Sequence, residues 1–263
     1  MAFDYLTHGL LGRPYRLHVR QTGKQHGEVL VLLHGIAASG DDWKKVLPFL
    51  EEDYRCITID LLGFGKSPKP TWPAYTMDDH MRSLYHTMNR LHIGEQFTLI
   101  GHSLGSLLAA RYATEHEANL KRLFLLSPPV YPPIESISKR GVRQLTGILL
   151  AIYKLLRSSP RITPESFKRL TYVAPLPKSI VTHPDTWVPF MRTLKECIEK
   201  QTILTDVAKL NLPIDVFYGT LDQVVLTSNV KLLNKENVQT HEFLGTHDLS
   251  RRYGKVIAAG LQD

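Results

Sequence analysis

Apolar side chains recur along this chain in short unbroken runs, separated by stretches with helical spacing. Residues 15–21 alternate apolar and polar positions, as a half-exposed strand does. Residues 28–33 (EVLVLL) form a continuous apolar run, the pattern of a central strand covered on both faces. The run stops at a loop of mostly small residues, His34-Gly35-Ile36-Ala37-Ala38-Ser39-Gly40. Asp41 or Asp42 can then cap a helix whose Trp43, Val46, Leu47 and Leu50 share a face, with Pro48 limiting its length. Residues 54–60 predict the next strand, and Leu61-Leu62-Gly63-Phe64-Gly65-Lys66-Ser67 a glycine-punctuated loop. Pro68, Pro70 and Pro73 keep residues 68–75 extended, and Thr76 caps a helix expected to reach residue 91.

Residues 97–100 are apolar and β-prone. Gly101-His102-Ser103-Leu104-Gly105 follows, and then a run of Leu and Ala, so strand, sharp turn and buried helix are predicted in succession. That helix is expected to end near residue 117, and residues 121–126 predict another strand. Strands alternating with helices build a mostly parallel, doubly wound sheet, so the expected fold class is α/β. The rhythm changes after Ser127. Pro128, Pro129, Pro132 and Pro133 interrupt it, and residues 131–205 hold no run that predicts a buried strand. Helical spacing appears instead over residues 142–157, 165–172 and 185–204, punctuated by Pro160, Pro164, Pro175, Pro177, Pro184 and Pro189. The prediction is a helical cap over residues 131–205, inserted into a core domain made of residues 1–130 and 206–263. In the second core segment a strand is expected at 212–218 and a helix at 227–233. A last strand near 240–244 and a closing helix from 249 complete it. Asp215 has no evident reason to stand inside a central strand.

Composition narrows the classes. Hydrophobic residues make up 43% and charged residues 22% of 263, as in a soluble globular chain able to bury a full core. The formal charge is +7, but Lys and Arg are scattered and form no nucleic-acid arm, so no nucleic-acid partner is expected. The excess predicts a basic surface, with an acidic substrate or anionic lipid as its other possible use. Cys56 and Cys197 have neither disulfide-framework nor metal spacing. That pattern suits a reducing compartment, and a cytoplasmic protein is expected. Neither a signal peptide nor a transmembrane segment is expected: the apolar run at 148–153 is far too short to span a bilayer. His80, His86 and His92 fall at spacing six, which cannot put three ligands on one helix face. They are expected on the surface, and no metal or cofactor is expected.

A serine hydroxyl is a poor nucleophile at neutral pH until a base is placed beside it, and the base needs a group that fixes its tautomer. Each candidate lies in a loop after a strand: Ser103 after the central one, Asp222 after a later one, His247 after the last. Loops at the carboxyl ends of parallel strands converge on one crevice. Asp248 is a poorer orienter, since neighbouring loop residues rarely face each other, and Asp60 is expected to pin the Gly63–Gly65 loop. A developing oxyanion needs two aimed N–H groups. Leu104, at a helix start, offers one, and Ile36, in the loop after His34-Gly35, the natural second. The side chain of His34 is expected to be structural.

The chain resembles the α/β-hydrolase superfamily, in particular its capped serine esterases and lipases. The residues that carry the resemblance are His34-Gly35 with Trp43, Asp60 through Ser67, Gly101-His102-Ser103-Leu104-Gly105, Gly219-Thr220-Leu221-Asp222 and Gly245-Thr246-His247. The resemblance implies a Ser103 nucleophile, a His247 base, an Asp222 orienter, and Ile36 and Leu104 as oxyanion donors, acting on a small-molecule carboxylic ester. Phe64, Tyr131, Trp187, Phe190 and Val225 are candidate pocket-lining residues. Two alternatives accompany this. One is hydrolysis of a carbon–carbon bond in a diketone acid held by Lys139, Arg140 or Arg143, although no GGGP-like loop follows His34. The other is a ligand-sensing module on the same fold.

Overall fold

The computed structural model describes residues 4–91, 93–94, 96–159, 162–173 and 183–262; His92, Pro160, Pro175 and Pro177 lie outside them. Seven strands form one sheet: β1 (Val19–Gly23), β2 (Val29–Leu33), β3 (Arg55–Ile59), β4 (Phe97–His102), β5 (Leu120–Leu126), β6 (Ile214–Gly219) and β7 (Val238–Phe243). Their spatial order is β1-β3-β2-β4-β5-β6-β7, and only β1 runs antiparallel to its neighbour. This is the expected doubly wound α/β sheet. Because strand side chains alternate between faces, the apolar runs feed two separate cores. Val31, Leu33, Ile57, Ile59, Leu99 and Val216 pack on one face under α1 (Met77–Met88) and α2 (Leu104–His116). Leu30, Leu32, Cys56, Ile100, Phe124 and Phe217 pack on the other, under Trp43, Leu47 and the closing helix.

Between β5 and β6 the chain runs through α3 (Arg140–Ser158), α4 (Pro164–Val173), α5 (Trp187–Thr193) and α6 (Ile203–Lys209). The single helix expected over 185–204 is broken: α5 runs into a π-turn at Leu194–Ile198, and α6 starts afresh and packs on α2. After β6 come a short α7 (Thr227–Val230) and, past β7, α8 (Arg251–Gly260).

Three local expectations are corrected. Pro48 has no N–H to give to an α-helix, so residues 40–49 form two 3-10 turns, Gly40–Lys45 and Leu47–Phe49. Their cap is Ser39, whose hydroxyl accepts from Asp41 N, and neither Asp41 nor Asp42. Thr76 does cap α1, in a reciprocal box with Asp79, but the helix ends at Met88. His80 is not on the surface. It shares the inner stripe of α1 with Ser83, Leu84 and Thr87, and its Nε2 lies 3.2 Å from Thr193 Oγ1. Asp215 also finds its reason here. It is buried between Arg122 Nε at 2.8 Å and His241 Nε2 at 2.7 Å, tying β6 to both neighbouring strands. Cys56 and Cys197 are buried and unbridged.

Candidate active site

The order of the strands reverses between β2 and β4, and the loops that follow both strands meet there. β4 delivers Ser103 at its carboxyl end, where its N–H donates to Leu126 O at 2.9 Å, extending the ladder to β5. The backbone of Ser103 has φ 52° and ψ −117°, a conformation that costs a side-chain-bearing residue about 1–3 kcal/mol. The flanking glycines make it possible. A Cβ on Gly101 would stand 2.2 Å from Gly105 O, and one on Gly105 would stand 2.3 Å from Leu33 O. No side chain fits at either place, and α2 therefore starts hard against β2 and β4.

Leu104 is the first residue of α2, so its N–H has no acceptor within the helix. The loop after β2 runs past the serine: a Cβ on Gly35 would lie 3.2 Å from Ser103 Cβ. Ile36 follows in that loop, and Ala37, with φ 57°, turns the chain away. Among the described residues, neither the Leu104 nor the Ile36 N–H donates to a protein acceptor. The His34 side chain is spent on the loop itself. Its ring Nδ1–H donates to Gly35 O at 2.7 Å and its Nε2 accepts from Leu61 N at 2.9 Å, which leaves the ring neutral. Asp60 holds the next loop as expected, accepting from Gly40 N at 2.6 Å and Lys66 N at 2.7 Å.

Asp222, in the loop after β6, and His247, in the loop after β7, are paired. His247 Nδ1 lies 2.9 and 3.1 Å from the two Asp222 carboxylate oxygens. The Asp222 side chain is fully buried and that of His247 nearly so. Burial works to raise the Asp222 pKa. The charge and hydrogen bond of His247, the Ser127 hydroxyl and the Val225 N–H outweigh it and hold the carboxyl below its usual range. The same carboxylate accepts from Val224 N at 2.9 Å and Val225 N at 2.8 Å, which fixes its loop. With Nδ1–H committed to the carboxylate, the free imidazole nitrogen is Nε2, the tautomer a general base needs. The Ser103 hydroxyl has no hydrogen-bond partner among the described residues. Contacts of this kind commonly tighten only when substrate is bound.

Three further side chains support this arrangement and were not singled out in the sequence. His102 is buried, and its Nε2–H donates to the backbone carbonyl of His247 at 2.9 Å. Burial, and then the nearby charge of His247, push its pKa down to about 3, so the ring stays neutral. Ser127, with φ 44° at the end of β5, lies 2.7 Å from Tyr253 Oη through its hydroxyl, which also reaches Asp222. His102 sits at a variable position of the Gly-X-Ser-X-Gly pattern. Nothing in sequence spacing links it to a carbonyl 145 positions away.

The five lining candidates fall into two groups. Tyr131 and Val225 touch the Asp222 loop: Tyr131 Oη donates to Val224 O at 3.1 Å, and Val225 N donates to the carboxylate. Trp187 and Phe190 cluster with Phe167, their ring centres 5.4–5.8 Å apart. Phe64 is fully buried, edge-on to His34 at 6.3 Å. Among the described residues no group of acidic, histidine or cysteine side chains could hold a metal ion, and no helix is long and apolar enough to cross a membrane.

A family profile described as alpha/beta hydrolase fold matches residues 28–144. The chain is 32% identical over 111 residues to a probable lysophospholipase, BODYGUARD 4, of Arabidopsis thaliana; the match covers 41% of this chain and 27% of that protein. It is 28% identical over 219 residues to Lipase 3 of Moraxella sp. (strain TA144), covering 80% of this chain and 67% of that one. The enol-lactonase from Burkholderia xenovorans LB400 superposes with a TM-score of 0.69 at 20% identity, over 94% of this chain and 95% of that structure. The matched stretch spans about a quarter of the length of the plant relatives. The sheet topology, the matched profile and the structural neighbours show that this chain has the alpha/beta hydrolase fold. Its sequence relatives include lipases and probable lysophospholipases.

Proposed function

We propose that this protein is a serine hydrolase acting on a small carboxylic ester. Ser103 Oγ attacks the carbonyl carbon while His247 Nε2 takes its proton. The carbonyl oxygen becomes an oxyanion held by the N–H groups of Ile36 and Leu104. Asp222 orients His247 and stabilises its cation, and His247 then protonates the leaving alcohol. Water, deprotonated by the same imidazole, attacks the acyl-enzyme and frees the acid and Ser103. No cofactor takes part in this cycle.

The observation that carries the proposal is the buried Asp222–His247 pair, with Nδ1 committed at 2.9 and 3.1 Å, tied through the His247 carbonyl to His102, the neighbour of a serine held in a strained turn. The names of the lipase and lysophospholipase relatives favour an ester over other bonds. Residues 131–205 act as the cap. Tyr153, on the inner side of α3, lies 3.2 Å from Tyr131 Oη, which in turn holds the Asp222 loop. Tyr131 and Val225 bound the pocket on the acid side, and Phe64, Trp187 and Phe190 bound it on the other, where the Gly63 loop meets Pro189. Two buried, unbridged thiols suit the cytoplasm.

The test is hydrolysis of p-nitrophenyl esters of graded acyl length by the purified chain. Multiple turnovers with a length optimum are expected, and Trp187→Ala should move that optimum toward longer acyl groups. Turnover of a ring-cleavage diketone acid with none on any ester would replace the ester reading by carbon–carbon hydrolysis. Binding without turnover on either would leave a sensor.

A further inference from the structure

Helix α3 has a face that its position in the fold does not use. Its inner side, with Leu149, Leu150 and Tyr153, packs against the body of the protein. Leu145, Ile148, Ile152 and Leu155 point the other way and are 54%, 57%, 43% and 63% exposed. Their spacing of three, four and three residues gathers them into one stripe, within an arc of about 80° on a helix of 3.6 residues per turn. Four large aliphatic side chains in one row are more than scattered surface apolarity, and a contiguous patch of this kind calls for something that covers it.

The charges beside the stripe say what that is. From Glu135 to Glu165 the sequence contains no carboxylate between those two residues, while Lys139, Arg140, Arg143, Lys154, Arg157 and Arg161 all fall in the interval. Arg157 is engaged with Glu199 at 3.2 Å, and Arg143 Nε donates to Ile137 O at 2.9 Å. Lys139, Arg140 and Lys154 are exposed, and among the described residues none of them has a carboxylate within ion-pair distance. Two copies packed stripe to stripe would bring acid-free, cationic helices together, so self-association is disfavoured by charge. An apolar row with a basic flank matches a surface that is apolar inside and anionic outside.

We propose that the outer face of α3 docks on an anionic lipid surface, with Leu145, Ile148, Ile152 and Leu155 entering the headgroup–acyl boundary and Lys139, Arg140 and Lys154 meeting lipid phosphates. The inner side of the same helix reaches the Asp222 loop through Tyr153 and Tyr131. Docking therefore sets the candidate site about one helix diameter, on the order of 10 Å, from the lipid. This binding does not depend on the chemistry at Ser103.

The test is co-sedimentation of the 263-residue chain with vesicles of phosphatidylcholine alone or mixed with phosphatidylglycerol. The chain should pellet with the anionic vesicles and much less with the neutral ones, and Ser103→Ala should bind as well as the unaltered chain. Replacing Leu145, Ile148, Ile152 and Leu155 together by Gln should abolish binding while far-ultraviolet circular dichroism stays unchanged. Arg140→Gln with Lys154→Gln is a second, independent variant, and should weaken binding by about fivefold per cation removed. Failure to bind anionic vesicles overturns the proposal. So does binding that both variants retain, or a dimer in sedimentation velocity that the four-Gln variant dissociates.

Discussion

His102 illustrates what one buried ring does at the residue scale. Held neutral by burial, it gives its single N–H to the carbonyl of His247 and so couples the strand that carries the proposed nucleophile to the loop that carries the proposed base. Losing that hydrogen bond costs about 1 kcal/mol of positioning. His102→Phe is therefore expected to lower kcat on a p-nitrophenyl ester about fivefold with KM little changed, and His102→Asn to recover part of the loss. A change confined to KM would argue against a positioning role. Ser103, Asp222 and His247 are legible in the sequence because each stands in a small-residue loop just after an apolar strand, and strand ends are readable. His102, Ser127 and Asp215 are not, because their partners come from strands and loops distant in the chain. His80 misleads for another reason: its helical stripe is real, but polar neighbours such as Ser83 and Thr87 disguise it as an outer face.

At the scale of elements, the glycines divide sharply by their surroundings. Gly101 and Gly105 lie where a Cβ would overlap backbone atoms at 2.2–2.3 Å, whereas Gly147, midway along α3, has open space around it. Gly101→Ala is expected to destabilise by at least about 1–3 kcal/mol, the usual range for overpacking. Gly147→Ala should stabilise by about 0.5–1 kcal/mol, because Ala limits the unfolded chain more and suits the helix. Urea midpoints at constant slope measure both, and shifts of the same sign would contradict this account of the elbow. The sheet strands and α1–α3 can be located from apolar period and caps. The 3-10 turns at 40–49 and the π-turn at 194–198 cannot. They answer to a proline and to packing against other elements rather than to a periodic pattern.

Across the whole molecule, burial of neutral imidazoles ties stability to pH. His34 is held below its ordinary pKa by burial, His80 is lowered to about 4 and His102 to about 3 by the same cause. The unfolded chain therefore binds more protons than the native one as pH drops below the ordinary histidine value. Stability from these groups is complete above about pH 6.5 and declines as pH falls toward 4 for His80 and 3 for His102. In that window each histidine contributes a slope of about 1.4 kcal/mol per pH unit. The lowered Asp222 acts in the same direction at more acid pH, its share being lost as pH falls through its native value. Urea unfolding at pH 7 and pH 5 should show a clear loss at the lower pH, and His80→Gln should make the dependence shallower. A flat profile would contradict the burial of these rings in their neutral form.

Covalent labelling with a fluorophosphonate, followed by identification of the modified residue by mass spectrometry, tests the proposed chemistry most directly. Ser103 should carry the label, Ser103→Ala should carry none, and His247→Gln should react at least about a thousandfold more slowly because the hydroxyl has lost its base. Labelling that persists in Ser103→Ala, or an unaltered chain that does not react at all, would contradict a serine nucleophile at the end of β4.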